Sequence, residues 1–241
     1  MSGHSKWAKT HRQKETADQK RGAIFTRLAK AISLAARESG SDPLTNFKLR
    51  MAMDKAKQLN MPKDNIDRAI KKGAGELKGQ IIEEIIYEAI GPDNVAILIH
   101  VLTDNKNRAL SNIKSIINNN NGKFASAGSV SWMFSQKGVI TISNIINQIP
   151  DMDSFQLELI ENGAEDFKEQ DNTLTIFTAT NNIQKTREAI EQKNIKADSV
   201  EIEYVPKKEN LIKPSDNKKI EQLLDALYQD DDVQEIYTNI E

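Results

Sequence analysis

The chain contains no cysteine. That absence excludes disulfides, thiolate nucleophiles and cysteine metal sites, and it agrees with a reducing compartment. Histidine is nearly as scarce, with only His4, His11 and His100 available as imidazoles. The first two sit among cations, where neighbouring charge disfavours imidazolium, and His100 falls in a run that reads as a strand, where an outward ring is expected. No Ser/His/Asp arrangement is suggested, so the expectation is a protein that is not an enzyme. Phosphate loops are missing too. No GK[ST] string occurs, and the glycine cluster GAGELKG at 73–79 is spaced G-x-G-x-x-x-G and follows a helix rather than a strand, so both nucleotide-loop fingerprints fail and no cofactor is expected. The chain also lacks an apolar run of about eighteen residues that would span a bilayer. Its N-terminus has no apolar signal core, so it reads as soluble and unexported, with no membrane partner. The acidic run Asp230–Asp232, with Glu235 nearby, lacks the spacing of a calcium loop. It reads as a solvated strand edge, and no metal is expected.

What is present is charge, unevenly placed. Residues 1–78 hold 18 Lys/Arg against 8 Asp/Glu, net plus 10, while residues 79–241 hold 15 against 27, net minus 12. A net charge of minus 2 therefore conceals one basic end, and a basic end of this size points to a polyanion. The first twenty-two residues, MSGHSKWAKTHRQKETADQKRG, are the extreme of it. So polar a segment cannot bury enough apolar surface to offset its ordering entropy, so it is expected to be mobile alone and to order on nucleic acid. Trp7 is its one large apolar group, either a stacking platform for a base or an anchor to its own domain.

Three helices follow from spacing. Thr16 to Ser39 places Ile24, Phe25, Leu28, Ile32 and Ala35 at three- and four-residue steps, with Arg27, Lys30 and Arg37 between them. Gly40 is a stop. Asp42 then reads as an N-cap and Pro43 as the first residue of a second helix, whose apolar side is Leu44, Phe47, Met51 and Leu59. A third runs from Pro62 to Gly73 with Ile66, Ala69 and Ile70 inward and Arg68, Lys71 and Lys72 outward. The expected product is a three-helix bundle, residues 1–78, with basic outer faces.

Beyond the 73–79 linker the period changes to that of strands. Glu84–Ala89 and Val95–Leu102 flank the turn Gly91-Pro92-Asp93-Asn94, a hairpin. Asp104 or Asn105 caps a helix with Ile113, Ile116 and Ile117 inward, and Ser129–Ser135 reads as a third strand. Residues 136–205 then segment as βαββαβ, a complete ferredoxin-like unit. The remaining helix, Asp216–Tyr228, and strand, Val233–Ile240, complete the domain begun at residue 79. The expected fold is α+β: the helical bundle followed by two ferredoxin-like α+β domains, the second (136–205) inserted in the first (79–135 plus 206–241).

Seven strings in order, GHSKW at 3–7, KRGAIFTRL at 20–28, NMPKDNIDRAIKKG at 60–73, YEAIGPDNVA at 87–96, LTDNKNR at 102–108, GSVSWMF at 128–134 and GAEDF at 163–167, resemble the motifs of the YebC/PmpR family nearly end to end. Bacterial members of that family are called probable transcriptional regulators, and mitochondrial relatives are translational activators. The resemblance implies a helical N-terminal domain, two α+β domains, a cytoplasmic location and nucleic-acid binding tied to gene expression. The chain departs from the family's Ile-Lys-x-Arg-Lys after GHSKW, carrying Thr10, His11, Arg12, Gln13 and Lys14 instead.

The candidate binding residues are the cations. Lys6, Lys9, Arg12, Lys14, Lys20 and Arg21, with Trp7, form the arm, and Lys63, Arg68, Lys71 and Lys72 extend the track along the third helix. Lys106 and Arg108 stand at a helix N-terminus, where free amides and the dipole also favour anions, as a second phosphate contact or an ordinary cap. No helix-turn-helix, zinc finger or aromatic RNA-binding strand is present to read bases. Two partners fit: DNA, for a transcriptional regulator, or ribosomal RNA, for a translation factor. Residues 136–205 hold 6 basic and 13 acidic residues and are expected to meet protein rather than nucleic acid.

Overall fold

The computed structural model describes residues 19–77, 79–215 and 217–241, with side chains from Arg21 onward. Two compact units result, one of residues up to Phe134 together with Pro206–Glu241, the other Ser135–Val205.

The first unit begins with helices α1 (Gln19–Ser39), α2 (Phe47–Gln58) and α3 (Lys63–Gly73). Their core is Leu28, Ile32, Ala35 and Ala36 of α1 with Leu49, Ala56, Ile66 and Ala69. Helix α1 stops where expected, with Gly40 at φ +91 donating its amide to Ala36 O. Helix α2 starts later than Pro43. Asp42 caps only a turn, accepting from the Leu44 amide. The helix N-cap is Asn46, whose side chain accepts from Leu49 N at 3.0 Å and donates to Ala35 O and Gly40 O. Three hydrogen bonds and burial make it the stronger nucleus, and they rotate the helix. Leu44 is consequently 83% exposed and Leu59 is exposed, while Leu49 and Ala56 take the inner face.

The sheet of this unit runs β3 (Lys123–Ala125), β1 (Glu83–Ile90), β2 (Ala96–Thr103), β8 (Val233–Thr238), all antiparallel neighbours. The β1–β2 hairpin pairs Ile90 with Ala96, and its turn holds Asp93 and Asn94 at positive φ, which Asp and Asn tolerate better than most residues. Helices α4 (Lys106–Asn119) and α8 (Asn217–Tyr228) cover one face. Ile97, Ile99 and Val101 pack there against Ile113, Ile117, Leu223 and Leu227. Leu102 points to the other face, where Ile82 and Leu34 of α1 meet it. Burial on both faces explains why β2 reads as an almost unbroken apolar run. Segment 129–133 is not a strand, and Phe134 and Ser135 open the next strand instead. Ser131–Met133 is a single 3₁₀ turn, and β3 is the short run after α4.

The second unit is the inserted α+β domain: β4 (Phe134–Ser143), α5 (Ile145–Gln148), α6 (Met152–Glu161), β5 (Ala164–Gln170), β6 (Thr173–Thr178), α7 (Ile183–Gln192) and β7 (Ser199–Pro206). The short α5 is an addition to the expected βαββαβ order. The sheet order β5-β6-β4-β7 is that of a ferredoxin-like unit. Ile140, Ile142, Leu174 and Ile176 are buried in the sheet, as are Phe155, Leu159 and Ile190 of α6 and α7.

Candidate nucleic-acid interface

Helix α3 owes its orientation to its own spacing. Ile66 and Ala69 face inward and are buried, and the Ser33 hydroxyl of α1 donates to Ala69 O at 2.8 Å. At Gly73 a Cβ would collide with the Ser33 carbonyl and approach Ala36 Cβ to 2.8 Å, so glycine permits the close approach of the two helices. With that face pressed to α1, Arg68, Lys71 and Lys72 emerge together at i, i+3 and i+4, all exposed. Lys63 is exposed on the first turn, and Arg21 is exposed at the start of α1. Among the described residues no ion pair engages any of these five. The arm residues Lys6, Trp7, Lys9, Arg12 and Lys14 lie outside the described residues, as does the side chain of Lys20.

Other cations of the basic end are turned inward. Arg27 is 8% exposed; its guanidinium lies 4.3 Å from the Tyr228 ring centroid and donates to the carbonyls of Tyr228 and Asp230. Lys30 reaches Asp232 Oδ1 at 2.7 Å and the Asp231 carbonyl at 2.9 Å. Lys55 pairs with Glu235 at 2.9 Å, and Arg37 donates to Ile82 O at 2.6 Å. The acidic run is therefore no solvated strand edge. Asp232 is the hub: besides Lys30 it accepts from Arg108 at 2.9 Å and from the Thr103 hydroxyl at 3.0 Å, with 5% of its side chain exposed. Burial pushes its carboxyl up, but the hydrogen bonds from Lys30 and Arg108 outweigh that, and its pKa falls below the ordinary aspartate value.

The second expected phosphate contact is engaged in the same way. Asn105 caps α4 by accepting from Arg108 N at 3.0 Å. The Arg108 guanidinium holds Asp104 and Asp232, and Lys106 lies 2.6 Å from Glu83 at the surface. His100 is partly covered, with Nε2 at 2.7 Å from Glu84 Oε1 across the hairpin.

The sequence also hides an anchor. Glu88 is 5% exposed and its carboxylate accepts three backbone amides, those of Gly128 and Val130 at 2.6 Å and of Ser131 at 3.0 Å. Those amides are thereby unavailable to a strand ladder, which is why 129–133 turns instead of extending. The loop they fix carries Trp132 at 56% exposure, its Nε1 donating to Ser129 O. A lone acid between Tyr87 and Ala89, late in EEIIYEAI and on the face opposite the helix-covered one, is the signal of this in the sequence. Among the described residues no three His, Asp or Glu side chains converge to hold a metal, and no helix is long and apolar enough to cross a membrane.

A cationic helical domain preceding an α+β domain that carries a second one as an insertion is a recognisable architecture. Residues 5–76 match the model of the TACO1/YebC N-terminal domain and residues 82–240 that of the TACO1/YebC second and third domains. The chain belongs to the TACO1/YebC family. It is 46% identical over 241 residues to a probable transcriptional regulatory protein of Thermoanaerobacter pseudethanolicus, covering 100% of this chain and 97% of that one. A second probable transcriptional regulatory protein, from Caldanaerobacter subterraneus subsp. tengcongensis, is 46% identical over 243 residues, with 100% and 98% covered. The crystal structure of a conserved hypothetical protein from Aquifex aeolicus superposes with a TM-score of 0.81 at 34% identity, covering 94% of this chain and 92% of that one.

Proposed function

We infer that the protein is a nucleic-acid-binding regulator of gene expression that acts by binding rather than catalysis, in the cytoplasm, as a DNA-binding regulator of transcription. The observation that carries this reading is the stripe Arg68, Lys71 and Lys72, exposed and not ion-paired among the described residues, on a helix locked against α1. Fixed cations at helical spacing contact successive phosphates, and that contact is electrostatic and independent of sequence. Lys63 and Arg21, also exposed, add to the positive charge of this domain, and the sequence adds the cations Lys6, Lys9, Arg12, Lys14 and Lys20, with Trp7, in the segment that precedes α1. Relatives called probable transcriptional regulatory proteins over their whole length support the regulatory role. Crosslinking in the native cell followed by sequencing of the bound nucleic acid tests it. Recovery of duplex DNA is expected. Recovery of ribosomal RNA, with co-sedimentation lost on deleting residues 1–22, would instead establish the second reading, a translation factor on the ribosome.

A further inference from the structure

Lys30, Arg108 and Thr103 come from α1, the N-terminus of α4 and the end of β2, and all three point at one carboxylate. The distances are 2.7 Å from Lys30 Nζ, 2.9 and 3.2 Å from Arg108 to the two oxygens, and 3.0 Å from the Thr103 hydroxyl. Two cations and a hydroxyl converging at hydrogen-bonding distance are the donor set that would hold a phosphate oxyanion. Here the anion is the chain's own Asp232, held in place because the Asp232 amide donates to Asp230 Oδ1 at 2.9 Å. Arg108 keeps 49% of its side chain exposed while Asp232 keeps 5%. The cradle thus borders solvent, with its anion on the inner side.

We propose that Asp232 is an affinity-setting residue: it occupies this oxyanion cradle as an internal competitor, withdraws Lys30 and Arg108 from the phosphate backbone, and confines nucleic acid to the α3 side of the basic domain. The inference rests on the nucleic-acid reading above. A tethered carboxylate is always present at the site, so backbone phosphates meet Lys30 and Arg108 already neutralised. Removing its charge releases Lys30 and Arg108 from their shared carboxylate, leaving Arg108 with the more exposed Asp104 at 2.9 Å and Lys30 with the Asp231 carbonyl.

The test uses the full chain and fluorescently labelled 20-mers of mixed sequence, one duplex DNA and one single-stranded RNA, titrated between 50 and 300 mM salt. Asp232→Asn is expected to bind about 3- to 10-fold more tightly at 100 mM salt, with a log–log salt slope steeper by up to about 1.8, roughly 0.9 for each cation released to duplex DNA. Asp231→Asn, the same charge change at the exposed neighbour, is expected to shift affinity less than 2-fold. Adding Lys30→Gln and Arg108→Gln to Asp232→Asn should restore wild-type affinity. The same pair in the wild-type background, read on protein that keeps a native melting curve, should change affinity less than 2-fold, which keeps the inference open to contradiction where Asp232→Asn does not fold. A loss of 3-fold or more from that pair overturns the inference, because the cations would already be on nucleic acid. So does an Asp232→Asn protein with a native melting curve and unchanged affinity, or an equal gain from Asp231→Asn. Absence of binding by wild type and Asp232→Asn alike overturns the nucleic-acid reading and the inference together, whereas wild-type binding that Asp232→Asn leaves unchanged overturns the inference alone.

Discussion

Glu88 shows how much one side chain can organise. Burial pushes its carboxyl upward, yet the amides of Val130, Gly128 and Ser131 more than offset it, and the net pKa is lowered. A carboxyl whose folded pKa is depressed stabilises the fold above its unfolded value, and that stability is lost as pH falls through the folded value. Urea unfolding from pH 7 downward is therefore expected to show stability declining below about pH 4.3, the ordinary glutamate value, with a shallower decline in Glu88→Gln. Glu88→Ala leaves three amides without an acceptor, two of them on residues that are not exposed at the loop's centre. It is expected to cost about 2–4 kcal/mol at pH 7, measured by the urea midpoint at constant slope. The sequence shows Glu88 only as an acid on the same strand face as Glu84, Ile86 and Ile90. Its three partners lie 40 to 43 residues away and are backbone groups, which carry no residue-type signal.

At the scale of elements, periodicity revealed what packs but not against what. The inner face of α3 is legible because Ile66, Ala69 and Ile70 recur at helical steps, so its outward cations are legible too. Helix α1 misleads in one respect. It is buried on two sides, by the bundle through Leu28 and Ile32 and by the sheet side through Leu34. Arg27 and Lys30 therefore face a surface about 200 residues downstream, where spacing alone places them in solvent. The sequence places the start of α2 too early for a related reason: Asp42-Pro43 carries a generic cap signal, whereas Asn46 wins through bonds to Ala35 and Gly40. Asn46→Ala removes the cap and both of those bonds, and a loss of about 2–3 kcal/mol in chemical unfolding is expected. Gly73→Val forces α1 and α3 apart, and a loss of about 1–3 kcal/mol is expected, larger than for Gly22→Val, where the backbone is helical and a Cβ meets nothing within 4 Å.

For the whole molecule, the division of charge into plus 10 and minus 12 at residue 78 is the property most visible in the sequence. The structure refines it by separating cations that hold the helices to the 228–235 segment from those left facing outward. Among the described residues, Arg21, Lys63, Arg68, Lys71 and Lys72 are exposed and carry no ion pair, so the outward positive charge there is narrower than the count suggests. The α+β sheets follow from strand periods and turn residues, while the short β3 and the added α5 carry too few residues for a period to show. On the proposed function, the outward cations of α3 bind nucleic acid. The salt dependence of 20-mer duplex binding by Arg68→Gln/Lys71→Gln/Lys72→Gln, compared with wild type, is the decisive measurement. Binding at least about tenfold weaker at 100 mM salt, a log–log slope shallower by about 2–3, and an unchanged melting temperature are expected. Identical affinity and slope for a folded triple variant would contradict it.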